Sequence, residues 1–214
     1  MLSEKIKISV LLSVFDTDFI LTKRAIDSVL NQSYQNFELI VIDDGSRADQ
    51  AKQIKDYAKE HENKIIYLQH ENCGQSESIN RGVLNSCGEY ISIIDSDDEY
   101  KFNHLSKCLN EMKDADLIAS VSETIVGKDE DYFVPDKNNL NKLIHVDDCI
   151  LFATLFGKKE VFENIHFKGK YAADANFYEL AAKKYKVKKV DLKTYIYYRN
   201  NANSIVGRMK NSIQ

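Results

Sequence analysis

Two short runs of acid interrupt this chain immediately after apolar segments. Asp43 and Asp44 follow Phe37–Ile42, and Asp95, Asp97 and Asp98 follow Tyr90–Ile94. Carboxylates crowded together repel one another, and their ionised forms are costly unless a cation lies between them. Hard oxygen donors of this kind suit Mg2+ or Mn2+, so Asp95-Ser96-Asp97-Asp98 is a candidate divalent-metal site. The same run also reads as a turn whose last acid, Asp98, caps a helix beginning near Phe102. On the residues alone both readings stay open.

The acids can act together only if the strands carrying them end at one edge. The runs Ile6–Phe15, Phe37–Ile42, Ile65–Leu68 and Tyr90–Ile94 are almost continuously apolar, the pattern of strands covered on both faces of a parallel sheet. Their ends lie roughly 25 to 30 residues apart, room for a crossover helix of about a dozen residues. Helical spacing is present in two of the gaps, at Leu21, Ala25 and Val29 and at Phe102, Leu105, Leu109 and Met112. The expected fold class is α/β, a Rossmann-like and mostly parallel central sheet flanked by helices. In such sheets ligands bind beyond the carboxyl ends of the strands, so both acid clusters should open onto one crevice.

Past Leu117–Val121 the rhythm weakens, and the polar stretch from Gly127 to Asn141, holding the only proline, Pro135, reads as a loop or irregular hairpin. Order returns at Ile150–Phe156, with a helix near Lys159–Asn164, another from Asp174 to about Tyr185, and strand-like Val187–Leu192 and Tyr195–Tyr198. Too little chain follows the polar stretch to build an independent core, so a single domain is expected.

Composition sets the outer bounds. A chain of 214 residues with 43% hydrophobic and 29% charged content has the make-up of an ordinary soluble globule. No signal peptide and no apolar run long enough to span a membrane is read, so the expected location is cytoplasmic. Cys73, Cys87, Cys108 and Cys149 are scattered without a C-x-x-C pair and are expected as reduced thiols. His61, His70, His104, His145 and His166 show no ligand spacing and receive no role. From Lys183 onward nine basic residues stand against one acid, Asp191, a net +8 inside a chain of net charge −4. That stretch would allow peripheral contact with an anionic membrane surface or a phosphate-bearing acceptor; a solvated helix face and strand is the plainer reading.

At these residues the chain resembles the family 2 glycosyltransferases of the GT-A fold, over nearly its whole length. Ile8-Ser9-Val10-Leu11-Leu12-Ser13-Val14-Phe15-Asp16 is similar to the family's opening strand. Ser28-Val29-Leu30-Asn31-Gln32-Ser33-Tyr34, followed by Phe37 to Ser46, is similar to its most recognisable stretch, and Gly88 to Asp98 to its metal-binding motif and preceding strand. Three such matches in order, with the right gaps, are strongly specific.

The resemblance implies an inverting transfer of a sugar from a nucleotide diphosphate donor, usually carrying uracil, to a saccharide or lipid-linked acceptor hydroxyl in polysaccharide or glycoconjugate biosynthesis, with no nucleic-acid partner. Asp44 would bond the base, with Val14, Phe15 and Asp16 as the wall beside it. Asp95 and its neighbour Ser96 would hold the ribose, and Asp97 would coordinate Mn2+ or Mg2+ on the diphosphate. A bound cation stabilises the charge that develops on the leaving diphosphate. The resemblance also implies a division into a nucleotide-binding half, 1–122, and an acceptor-binding half, 123–214.

Asn72 to Gly82 resembles the family's N-x-G-x-S-x-x-R-N-x-G element, with Ile79 where arginine is usual and Arg81 as its expected substitute. Inversion needs a base on the acceptor side. Asp174 in Ala173-Asp174-Ala175-Asn176 matches the second acid of the family's E-D-x-D motif and is the expected base; without the resemblance it reads as a helix N-cap. Tyr198-Arg199-Asn200-Asn201-Ala202-Asn203-Ser204 resembles Y-R-x-H-x-x-S, which places Arg199 over the donor diphosphate.

Three rival readings are weighed. A metal-dependent phosphohydrolase would carry its D-x-D on the first strand, whereas here it follows the fourth. A dinucleotide-binding dehydrogenase lacks its G-x-G-x-x-G. A catalytically inactive nucleotide-sugar-binding domain stays open, because the departures at Ile79, Ala173 and Asn201 fall on family positions.

Overall fold

In a computed structural model the protein is described over residues 7–169 and 171–199. Asn201, Ser204, Arg208 and Lys210, invoked above, lie outside these residues. The chain runs β1 (Ile8–Val14), α1 (Phe19–Leu30), β2 (Phe37–Asp43), α2 (Ala48–Glu60), β3 (Ile65–Gln69), α3 (Gln75–Leu84) and β4 (Tyr90–Asp95). It continues through β5 (Glu99–Tyr100), α4 (His104–Glu111), β6 (Leu117–Ser120), β7 (Glu123–Ile125), β8 (Phe133–Asp136), β9 (Asn139–His145), β10 (Leu155–Lys158), α5 (Lys159–Asn164), α6 (Ala173–Ala181), β11 (Val187–Val190) and β12 (Tyr195–Tyr198).

The first four strands lie parallel, as their apolar runs require, and the main sheet has the order β11-β6-β10-β4-β1-β2-β3. Successive side chains of a strand face opposite sides, and the core divides accordingly. Val10, Leu12 and Val14 of β1 pack with Ala25, Ile26 and Val29 of α1 and Leu105 of α4 on one face. Leu11 packs with Ile79 of α3, Phe162 of α5 and Phe177 of α6 on the other. Each such buried aliphatic side chain contributes about 1.5–3 kcal/mol, so both layers are anchored through the strands that end at the site.

β10 departs from the repeat, running antiparallel between β4 and β6. Gly157 allows this insertion, since a Cβ there would stand 2.8 Å from the Asp116 carbonyl and 2.7 Å from a Leu117 methyl. A second small sheet, β5-β12-β7, is built from strands far apart in sequence. The polar stretch around Pro135 forms the hairpin β8-β9, with a register break at Pro135 and Asp136. Two expectations are corrected. α4 begins at His104, leaving Phe102 outside it and 70% exposed; His104 takes the core position, stacked 3.8 Å from Tyr100 and bonded to the Thr194 hydroxyl at 2.8 Å. Burial pushes its imidazole down to about 3, which keeps it neutral.

Candidate active site

β1 lies between β2 and β4, with Val14 opposite Asp43 and Ser13 opposite Asp95. Both acid runs therefore open at one edge of the sheet, two strand spacings or about 10 Å apart at the backbone. The edge holds two separate arrangements.

The first surrounds Asp95. Its Oδ1 accepts from the Gln75 side chain at 2.7 Å. Burial, followed by the charges of Asp97 and Asp174, pushes its carboxyl up to about 7. Asp174 reaches this place from α6, 79 positions along the chain, and burial pushes its own carboxyl up to about 6 against the pull of the Ala175 and Phe152 amides. Those amides donate to it at 2.8 Å and 3.2 Å. The helix N-cap is Ala172, at φ 51° and without a side-chain cap; the N-cap reading of Asp174 is thus replaced by a first-turn position facing the acid cluster.

Asp98 belongs elsewhere. Fully buried, it accepts from the Tyr195 hydroxyl and from the Tyr198 amide at 2.8 Å, and the helix it was expected to cap has Asn103 as its N-cap instead. Burial and the charges of Asp95 and Asp97 drive its carboxyl well upward, while those two tyrosine donors pull it back. Ser96 is buried, its hydroxyl bonded to that of Thr17 at 2.7 Å. Arg24 grips the Asp97 carbonyl, pairs with Glu99 at 3.6 Å and lies over the Tyr198 ring, so the turn is held from outside while the Asp97 side chain stays half-buried.

Arg199 follows β12, its amide donating to the Ile125 carbonyl at 2.8 Å. Its Nε and Nη1 are buried with no hydrogen-bond partner among the described residues. Burial chiefly raises the Cys149 thiol to about 11, with the charges of Asp174 and Asp148 adding to the rise and those of Lys189 and Arg199 opposing it. Crowded carboxylates fit a divalent cation, and an arginine with N–H groups unpaired among the described residues fits a diphosphate.

The second arrangement surrounds Asp44. Its carboxylate accepts from the Cys73 amide at 2.7 Å, the Gly74 amide at 2.9 Å and the Asn72 side chain at 3.2 Å. Gly45, at φ 82°, lets the turn close, since a Cβ there would meet the Asn72 nitrogen at 2.7 Å. Asp43 is buried and bonded to the Ser46 amide and the Tyr67 hydroxyl. At the end of β1, Val14 is buried and accepts from the Asp44 amide at 2.8 Å. Phe15 is 52% exposed, and Asp16, at φ 50°, accepts from the Arg47 amide at 2.8 Å.

The fold thus brings the charges of Asp97 and Asp174 to bear on Asp95, holds Arg199 at the end of β12, and sets Asp44 with Val14, Phe15 and Asp16 at the same sheet edge. It does not bring Arg81 into the place expected for it. Ile79 is fully buried in the core, while Arg81 is exposed two residues on, about 200° around the helix. Sequence reasoning missed Gln75, Tyr195, Tyr198 and His70. Only His70 carried a local signal, three residues before Cys73; the tyrosines come from a strand whose pairing nothing local announces. All four cysteines are free thiols, as expected.

The sequence model of glycosyl transferase family 2 matches residues 10–173. The chain belongs to glycosyl transferase family 2. It is 31% identical over 144 residues to Glycosyltransferase GlyG of Streptococcus pneumoniae, covering 67% of this chain and 46% of that protein. Its fold matches S. aureus TarS in complex with UDP-GlcNAc at a TM-score of 0.69, 20% identity, 94% coverage of this chain and 60% of the other. It also matches mannosyltransferase PcManGT from Pyrobaculum calidifontis in complex with GDP-Man and Mn2+, at 0.70, 15% identity, 91% and 57%. The chain spans less than half the length of curated relatives such as GlyG. The chain has the GT-A fold, and no described helix is long and apolar enough to cross a membrane.

Proposed function

We propose that this family 2 glycosyltransferase transfers a sugar from a UDP-sugar to an acceptor hydroxyl with inversion, in polysaccharide or glycoconjugate assembly at the cytoplasmic face of a membrane. The observation that carries the reading is that Asp174, on a chain segment separate from β4, lies close enough to Asp95 for its charge to act there alongside that of Asp97. A carboxylate poised at about 6 is a proton acceptor matched to neutral pH. It faces carboxylates whose mutual repulsion a cation would relieve.

Asp97 would hold Mn2+ or Mg2+, which when bound stabilises charge on the departing diphosphate. Arg199 binds phosphate oxygens through Nε and Nη1, which have no partner among the described residues. Asp95, oriented by Gln75, takes the ribose hydroxyls. Asp174 accepts the acceptor proton as the hydroxyl oxygen attacks. Residues 1–122 supply the donor side. Within 123–214, hairpin β8-β9 is tied to α6 by Lys137, which pairs with Glu179 at 2.5 Å, and frames the acceptor side. The basic stretch from Lys183 offers the membrane contact.

Support comes from the neighbours whose structures hold UDP-GlcNAc and GDP-Man with Mn2+. The test is to incubate the protein with Mn2+, a panel of nucleotide-sugars and candidate acceptors, then measure released nucleoside diphosphate and product anomeric configuration. Release with one donor, an inverted product and loss in Asp97→Ala support the reading. Donor binding without release under every acceptor sinks it in favour of a binding domain, and release that survives Asp97→Ala sinks the metal role.

A further inference from the structure

Beside the all-oxygen cluster at β4, the loop after β3 assembles a different set of donors. His70 Nδ1 lies 3.5 Å from Asp44 Oδ1, Cys73 Sγ lies 3.4 Å from the same oxygen, and Sγ lies 3.3 Å from Nδ1. Three ligand atoms, one each of oxygen, nitrogen and sulfur, thus form a nearly equilateral triangle. The His70 and Asp44 side chains are almost fully buried, whereas Cys73 is exposed, so the triangle is closed beneath and open to solvent above.

We propose that Asp44, His70 and Cys73 form a second metal site, selective for a borderline-soft divalent cation such as Zn2+. Tetrahedral zinc at ordinary bond lengths sets its N, O and S ligands about 3.3–3.6 Å apart, which the three measured separations already match. To admit the ion, His70 must turn Nδ1 away from the Glu71 carbonyl, and the fourth position faces solvent beside the exposed Cys73. Carboxylates near Asp97 favour hard cations, while a thiolate with an imidazole favours Zn2+ over Mg2+ or Mn2+. The chain would therefore sort two cations into two neighbouring sites.

The surroundings allow the protonation changes that binding requires. In the cation-free chain Nδ1 is 2.8 Å from the Glu71 carbonyl and Nε2 is 3.3 Å from the Ser78 hydroxyl. On binding, the ring proton resides on Nε2 and donates to Ser78, which orients the ring from outside the site, and Nδ1 exchanges its contact with the Glu71 carbonyl for the ion. Cys73 gives up its thiol proton to solvent and Asp44 binds as the carboxylate, so the ion is held by two negative ligands and one neutral one.

Occupancy has a consequence that rests on the proposed function. Asp44 is the base-binding residue in that reading, and it cannot serve a nucleotide base while ligating an ion. Zn2+ at this site would compete with the donor.

The test uses the full chain, stripped of metal and titrated anaerobically with Co2+, whose absorption reports tetrahedral geometry and sulfur ligation. The expected result is one equivalent showing intense visible bands and a sulfur-to-cobalt charge-transfer band, both displaced by Zn2+. Cys73→Ser should lose the charge-transfer band, and His70→Ala should weaken Co2+ at least about 100-fold, each with circular dichroism like the parent. A charge-transfer band that persists in Cys73→Ser, or weak six-coordinate spectra alone, overturns the site. Adding UDP with Mg2+ should bleach the bands; unchanged bands overturn the competition and leave the metal site standing, so the two failures are told apart.

Discussion

One hydroxyl holds both ends of the metal-motif turn: Tyr195 accepts from the Asp95 amide at 3.3 Å and donates to Oδ2 of Asp98. Asp98 is thereby fixed to β12, and Asp97, between the two anchored positions, is half-buried. The adjacent acids Asp97 and Asp98 thus have opposite duties. Tyr195→Phe should lower stability by about 1–3 kcal/mol, since it leaves a buried carboxylate short of a donor, while donor turnover falls less than about tenfold. Asp97→Ala should do the reverse, cutting turnover at least about 100-fold without lowering the melting temperature, because it removes a charge that burdens Asp95 and Asp98. Thermal melts and diphosphate release measured on both variants check the pair.

Asp174 should set the acidic limb of the pH–rate profile. Its carboxyl is raised to about 6, and a base works only when ionised, so turnover should fall as pH drops through that value. Asp174→Asn should remove about 10²–10⁴ of the rate together with the limb. A raised folded-state value means the native chain holds this proton longer than the unfolded one. The stability that contributes is full below the ordinary carboxylate range and is lost as pH rises through about 6. Melting curves between pH 4 and 7 should therefore decline more steeply for the parent than for Asp174→Asn.

Arg199 should matter by geometry as well as charge. Its Nε and Nη1 are buried and have no hydrogen-bond partner among the described residues, a fork suited to phosphate oxygens. Arg199→Ala should weaken UDP binding by about 1.5–3 kcal/mol, read by calorimetry, and Arg199→Lys should recover little of it.

Ile79 stands where the family usually carries arginine, and here it packs at 0% exposure among Leu11, Ile40 and Ile42. Restoring the family residue as Ile79→Arg should not restore donor binding. It should lower stability by about 3 kcal/mol or more, because a guanidinium in that cluster has no partner. A variant that melts like the parent would contradict this packing.

The site was only partly legible in the chain. Asp44, Asp95 and Asp97 announce themselves because they end apolar runs, and a strand end is a local property. That Asp98 is structural was not legible, since its partners Tyr195 and Tyr198 lie about a hundred positions away. Arg81 looked like a stand-in for the missing arginine because it is near Ile79 in sequence, but two helical positions put it on the opposite side. Phe102 looked like core because it fits the helical period, yet the helix begins two residues later.

By itself the sequence determined the parallel strands, the helices between them, the polar hairpin around Pro135 and the order of motifs that marks glycosyl transferase family 2. These follow from periodicity, turn residues and local spacing, which act over a few residues. Tertiary structure alone decided that β10 enters the sheet antiparallel, that Asp174 meets Asp95, and that Asp44 is ringed by its own loop beside His70 and Cys73. Each depends on surfaces from distant segments burying one another, and the partner of a buried group is settled only when the whole sheet has closed around it.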